Sequence, residues 1–249
     1  MSTVLTKHAI VLPRPRTWRR WYRIARSPYS LLRTLEYEAI EGLHLSGRIL
    51  DIGGQAQSDY YGLFRIDGTL ERVNIDEASK PDYLHDLNTP LPIADETFDH
   101  VISLNTFEHV REDSVAISEA IRVLRRGGSF HILVPFCYRV HGSPNDFHRH
   151  TAFWWRDQLL GLGVKADRLR VEPLAWEQRA TGSSFVRNRG WIRALALLRG
   201  LVMPGPAIRY VLRTLRGRSD RFTQYQRELL AQRTDAGDFA VGYYISGTK

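Results

Sequence analysis

Three of the nine histidines, His141, His148 and His150, stand within ten residues of one another. Asp146 and Arg149 lie among them, with Tyr138 and Phe147 close by. Imidazole changes charge near neutral pH, so such a loop can accept a proton from a hydroxyl group. His148 and His141 are the leading candidates for that task. The bland reading of the same loop is a staple of Asp146 on Arg149, with His150 exposed and the two aromatic rings packed. A second stretch able to do chemistry is RILDIGG at 48–54. An apolar run there ends in Asp51 and two glycines, Gly53 and Gly54. A later run at 70–75 ends in Asp76. Glycine at a strand tip lets backbone come close to a ligand, and an acid at the next tip can take ribose hydroxyls. Asp76 also reads as a plain helix cap. The usual GxGxxG spacing is absent, so this turn alone suits an adenosine-containing ligand without choosing which.

Strand tips of this kind need an α/β scaffold. Strands are expected at 48–52, 70–75, 98–104 and 129–134, with a further one within 164–173 and a last one at 239–246. Helices are expected at 30–43, where Leu31, Leu32, Leu35 and Ile40 share a side, at 105–124 and at 153–162. Gly127 and Gly128 suit the stop of the second helix. Strands alternating with helices give a doubly wound, mostly parallel sheet. Between 177 and 237, apolar stripes at helical spacing interleave with arginines and are broken by Pro204 and Pro206. Three units follow: a basic segment 1–44, a sheet domain of 45–176 and 238–249, and an amphipathic insert 177–237.

The net charge of +8 is unevenly distributed. Residues 1–35 hold eight Lys/Arg and no acid; residues 185–233 hold eleven and two acids, leaving 8 − 8 − 9 = −9 for the rest. Basic flanks on an acidic middle suit an anionic surface such as lipid, glycan, phosphate or nucleic acid, or are solvated helix faces. The insert is too short and charged in its apolar part to span a bilayer. It can lie in a membrane interface with Trp191 at the boundary, or pack on the sheet and cap the site. A single cysteine, Cys137, excludes an intramolecular disulfide framework and suits a reducing compartment. No Cys/His group has zinc spacing, so no metal is expected. With no apolar leader at the start, the expected location is the cytoplasm, or the inner face of the membrane.

Three segments taken together resemble the class I S-adenosylmethionine-dependent methyltransferases, specifically the type-11 group. They are RILDIGG at 48–54, DLNTPLPIADETFDHVISLNTFEHV at 86–110 and AIRVLRRGGSFHILVP at 120–135. The resemblance implies a Rossmann-like sheet of seven strands and S-adenosylmethionine as cofactor. It implies that Asp51, Gly53 and Gly54 form the turn beside the methionine part, and that Asp76 takes the ribose. Asp86 and Leu87 would lie along the adenine. Asn105 and Thr106 would line the sulfonium region, with His109 near by; His109 is otherwise a helix-start histidine. The chain departs from the group's glycine pattern at Gln55 and Gln57. A Gly-Gly turn followed by Tyr60-Tyr61-Gly62-Leu63-Phe64 is similar to members linked to surface-polysaccharide synthesis.

In that subset the loop 135–151 serves the acceptor, which implies catalytic roles for His148, His141 or His109 and substrate contacts for Tyr138, Asp146, Arg149 and His150. The expected activity is methyl transfer to a hydroxyl of a carbohydrate or glycolipid intermediate, or else of a small secondary metabolite. A third reading is a non-catalytic nucleic-acid-binding module, since Trp18, Trp21 and Tyr22 interleave with arginines. The acidic middle, which includes the presumed active face, disfavours it.

Overall fold

The computed structural model describes residues 9–11, 18–142, 145–174 and 240–249. The insert expected at 177–237, and with it the interface through 185–233, lies outside the described residues.

Seven strands form one sheet in the order β3-β2-β1-β4-β5-β7-β6. In chain order these are β1 (His44–Ile52), β2 (Arg65–Asn74), β3 (Tyr83–Leu84), β4 (Phe98–Leu104), β5 (Leu124–Pro135), β6 (Leu169–Leu174) and β7 (Gly242–Thr248). The first five are parallel; β7 runs antiparallel to both of its neighbours. Among the described residues four α-helices accompany them: α1 (Trp18–Arg26), α2 (Leu31–Ile40), α3 (Asp113–Val123) and α4 (Ala152–Gly161).

Side chains alternate across a strand, so an apolar run feeds two cores at once. Leu50, Ile52, Val101 and Phe130 join Ile117 and Ile121 of α3 and Trp155 and Leu159 of α4 in one cluster. Ile49, Ile102, Leu133 and Tyr244 join Leu31, Leu35 and Ile40 of α2 in the other. Helix α2 is therefore one of the layers of the sheet domain. Its start is set by Ser30, whose hydroxyl accepts from the Arg33 amide. Thr151 caps α4 the same way, through the Trp154 amide. Outside β6, Ile10 makes a parallel bridge to Val171.

The helix expected at 105–124 is shorter than its pattern. Asn105 leaves β4 with φ +53° and a 3-10 turn covers Phe107–His109, so α3 begins only at Asp113. Nor do the two glycines stop it. Helix α3 passes into β5 at Leu124, and Gly127, at φ +80°, lies inside that strand where its pairing with β4 shifts register. Gly128 there allows a backbone approach: a Cβ would sit 2.7 Å from the Asp99 carbonyl oxygen. Strand β2 stops at Asn74, which leaves Ile75 outside the strand and 62% exposed. The two-residue β3 had no signal in the expected pattern. Among the described residues no helix is long and apolar enough to cross a membrane.

The order of strands reverses between β1 and β4. Ligands of such sheets bind beyond the carboxyl ends of the strands at that point, and the tips of β1, β2 and β4 meet there.

Candidate functional site

The turn after β1 is fixed from three sides. Gly53 has φ +86°, and a Cβ there would lie 2.1 Å from the Thr106 hydroxyl oxygen, so no other residue fits without displacement. Asn74 Nδ2 donates to the carbonyls of Gly53 and Gly54, both at 3.1 Å. Thr106 and Ser103 hydroxyls donate to the Ile52 carbonyl, each at 3.0 Å.

Asp51 holds the turn from beneath and does not line the cleft. Its carboxylate is fully buried and accepts from the hydroxyls of Tyr60 (2.6 Å) and Tyr61 (2.7 Å). Burial pushes its pKa from 3.8 up to about 6, against the pull of those two hydrogen bonds. Gly54 leaves the space this carboxylate needs, since a Cβ would meet Asp51 Oδ2 at 2.1 Å. Asp51 and Gly54 thus shape the turn without lining the cavity, and Gly53 faces it.

The cavity has a volume of about 870 Å³. One half is lined by Gly53, Asn74, Ile75, Asp76, Asp86, Leu87, Asn105 and Thr106. Asp76 Oδ1 accepts from the Ala78 amide at 2.9 Å, so the residue caps a 3-10 turn while it lines the cleft. Asp86 Oδ1 accepts from the backbone and side-chain nitrogens of Asn88 (3.0 and 2.7 Å). Ile75 and Leu87 supply apolar walls. Asn105 is the odd member: its side-chain oxygen and nitrogen are both buried without a hydrogen-bond partner among the described residues. Behind it Glu36 of α2 is fully buried; burial raises its pKa, while the Arg33 guanidinium at 3.6 Å and the Asn105 side chain lower it. A glycine cradle, two acids, two apolar walls and an orphaned amide fit a nucleoside that carries an amino-acid tail.

The other half is lined by Arg33, His109, Val110, Arg111, His141, Asn145 and Phe147. Arg149 forks onto Asp146 at 2.5 and 2.6 Å. Asp146 in turn accepts from the His141 amide at 2.9 Å and faces His141 Nδ1 at 3.2 Å. Burial would raise the Asp146 pKa, but the Arg149 fork and the His141 amide hold it below the usual range. Asp146 and Arg149 therefore set the orientation of His141 and do not line the cleft.

Of the three loop histidines only His141 reaches it. His148 Nε2 donates to the Arg111 carbonyl at 3.0 Å, and His150 pairs with Asp113 at 2.6 Å and stacks on Trp154. Both face a separate small cavity beside Trp155. This displaces His148 as a leading base and His150 as a substrate contact. Tyr138 packs edge-on against His141, with ring centroids 5.4 Å apart, and lies outside the lining.

Glu108 is the site residue that sequence reasoning passed over. It is 2% exposed, and neither carboxylate oxygen has a hydrogen-bond partner among the described residues. Burial pushes its pKa up to about 8, and the charge of Glu36 adds to this. His109 Nε2 lies 3.7 Å and His141 Nε2 4.0 Å from its Oε1. The available signal was its place directly before His109, in the run Asn105-Thr106-Phe107-Glu108-His109; nothing in residue types marks an acid as buried.

Residues 47–132 match the family model described as a methyltransferase domain. The chain carries a methyltransferase domain. That match makes it a methyltransferase, and S-adenosylmethionine is the cofactor that a cleft so lined fits. Phosphoethanolamine N-methyltransferase 2 of Haemonchus contortus, solved with S-adenosyl-L-methionine, shares the fold at a TM-score of 0.50 and 12% identity. That alignment covers 94% of this chain and 53% of the other, so this methyltransferase spans about half that protein's length. The [4+2]-cyclase SpnF aligns with a TM-score of 0.50 and 18% identity, over 87% of this chain and 80% of its own. No curated protein matches the sequence.

Proposed function

We propose that the enzyme methylates a hydroxyl group of a carbohydrate or glycolipid intermediate. The observation that carries this reading is the convergence of Glu108 Oε1 and the Nε2 atoms of His109 and His141 at one end of the cofactor cleft. A hydroxyl must lose its proton as it is methylated, and these are groups able to take it; the Glu108 oxygens have no hydrogen-bond partner among the described residues. The cofactor supplies an electrophilic methyl on a sulfonium, displaced in line.

Each cofactor residue has a role in this reading. Asp76 accepts from the ribose hydroxyls, and Asp86 takes the exocyclic amine of an adenine held between Ile75 and Leu87. Gly53 lets backbone approach the amino-acid tail, Asn105 pairs with its polar groups, and Thr106 keeps the turn in place. Phe147, 39% exposed, offers an aromatic face to a sugar ring, with the Arg111 guanidinium on that ring at 5.2 Å. Asn145, Arg33 and Arg111 make the mouth polar, which suits a polyhydroxylated acceptor.

The test is methyl transfer from labelled cofactor to a panel of nucleotide sugars, lipid-linked glycans and small phenols, with the methylated atom located by mass spectrometry. Methyl ethers on sugars support the proposal. Products on nitrogen, or on phenols alone, refute the acceptor class. Failure of the wild-type protein to bind S-adenosylhomocysteine in a calorimeter would overturn the placement of the cofactor in this cleft.

A further inference from the structure

At the acceptor end of the cleft three atoms able to act as ligands converge: Glu108 Oε1 and the Nε2 atoms of His109 and His141. The tautomers explain why. His109 Nδ1 lies 2.5 Å from the Asn145 carbonyl oxygen, a distance that requires the proton to be on Nδ1. His141 Nδ1 faces Asp146 Oδ2 at 3.2 Å and the Arg139 carbonyl at 3.3 Å, which puts its proton on Nδ1 as well. Each ring therefore presents a bare Nε2 lone pair, and both present it to Glu108 Oε1, at 3.7 and 4.0 Å. Neither oxygen of the buried Glu108 carboxylate has a hydrogen-bond partner from another described residue, so its desolvation is poorly offset. Three such atoms facing one point suit a positive occupant.

We propose that Glu108, His109 and His141 bind a divalent cation of the zinc type at the acceptor end of the cleft. Ligand atoms of the three residues lie within 4.8 Å of one another. Tetrahedral zinc at about 2.1 Å from each ligand needs separations of about 3.4 Å, so closure shortens the two Glu108 contacts, at 3.7 and 4.0 Å, by well under an ångström and the imidazole pair by up to about 1.4 Å. Two imidazoles and one carboxylate suit zinc and its first-row neighbours, not magnesium or calcium, which prefer all-oxygen shells. The partners behind the ligands are also in place. A metal-bound imidazole commonly donates its other N–H to a carboxylate or a backbone carbonyl; here Asp146, clamped by Arg149, serves His141, and the Asn145 carbonyl serves His109. Three protein ligands leave a coordination position open toward the cleft, where an acceptor oxygen can bind and ionise more readily. That last consequence rests on the methyl-transfer reading above; cation binding itself does not.

A neighbouring set, Asp113, His148 and His150, offers a similar count of ligand atoms. There His150 and Asp113 already satisfy each other at 2.6 Å and His148 Nε2 is spent on the Arg111 carbonyl. It therefore serves as the comparison.

The whole protein, stripped with a chelator, is titrated with zinc chloride by calorimetry and with cobalt(II) in the visible spectrum. S-adenosylhomocysteine affinity is measured on the same samples. One zinc with a Kd of about micromolar or tighter is expected, together with a tetrahedral cobalt band. Glu108→Gln and His141→Gln should each weaken zinc by more than about 100-fold, and Asp146→Asn by about 10–100-fold. His150→Gln should leave it unchanged. Retained S-adenosylhomocysteine binding shows that a variant is folded; His141→Gln, at a partly exposed ring, provides this should Glu108→Gln unfold. Absence of zinc binding, binding that survives both ligand variants, or loss with His150→Gln in their place would each overturn the site. If zinc is not bound while S-adenosylhomocysteine is, the cation site falls and the methyltransferase reading stands; the reverse result sinks only the latter.

Discussion

Replacing Asp51 with Asn tests how the first turn is supported. The carboxyl sits beneath Gly53-Gly54 with no exposed surface, and its pKa rises from 3.8 to about 6 because burial outweighs the hydroxyls of Tyr60 and Tyr61. A folded pKa above the unfolded one means that the folded state binds the extra proton. The group's contribution to stability is complete below pH 3.8 and is lost as pH rises through 6. The gap corresponds to about 3 kcal/mol, of which about 1.3 kcal/mol should be lost between pH 5 and pH 7. Asn keeps an oxygen for both tyrosines but does not titrate. Urea unfolding of wild type and Asp51→Asn across pH 4.5–7.5 measures the difference, and distant titrating groups cancel in it. The stability of Asp51→Asn relative to wild type should rise with pH by about 1 kcal/mol or more from pH 5 to 7. A flat difference, or one of opposite sign, would show that the carboxyl is not desolvated as described. S-adenosylhomocysteine affinity should change little, because the group shapes the turn without touching the cleft.

Three further variants probe the rest of the site. Gly53→Ala places a Cβ 2.1 Å from the Thr106 hydroxyl at φ +86°; the backbone alone costs about 1–2 kcal/mol. Calorimetry should find S-adenosylhomocysteine binding at least about tenfold weaker. Asp76→Ala removes a charged acceptor, a loss of about 1.5–3 kcal/mol per hydrogen bond, and cofactor affinity should fall more than tenfold with little change in melting temperature. Undiminished binding would remove Asp76 as the ribose ligand. Arg149→Ala frees Asp146 and so His141; single-turnover methyl transfer should slow by about 10–100-fold while S-adenosylhomocysteine affinity stays within about twofold of wild type.

The cofactor half of the cleft was legible because its residues are strand tips, and strand tips are marked by apolar runs that end in Asp or Gly. Asp51, Gly53 and Asn105 lie at the strand ends expected for them, and Asp76 lies two residues past the end of β2. Their side-chain directions were not legible: Asp51 turns into the core because Tyr60 and Tyr61 wait there, a pairing that spacing does not reveal. The misjudged helix at 105–124 has a similar origin. Its apolar spacing holds, but the left-handed Asn105 and the following 3-10 turn delay α3 to Asp113. In the loop after β5, residue types pointed to histidine and acid chemistry. Extended backbone sends His141 one way and His148 and His150 the other, however, and composition carries no record of that. Glu108 was hidden for a physical reason: acids are almost always solvated, so a buried one is unexpected until its neighbours are seen.

The antiparallel strand β7 has a consequence for how such an enzyme can diversify. Leu174, at the end of β6, pairs with Gly242, at the start of β7, and the Val241 amide donates to the Leu174 carbonyl. Gly242 also pairs with Pro135, the last residue of β5, so this junction opens on the edge of the sheet where the histidine loop begins. The chain departs and returns through a single doorway beside the acceptor end. Loop-closure entropy grows by only about 0.6 kcal/mol for each doubling of length, so the segment between can be lengthened, shortened or exchanged with the seven strands in place. Changes of length in that connection therefore leave the pairing of the seven strands, and with it the cleft at their tips, in place.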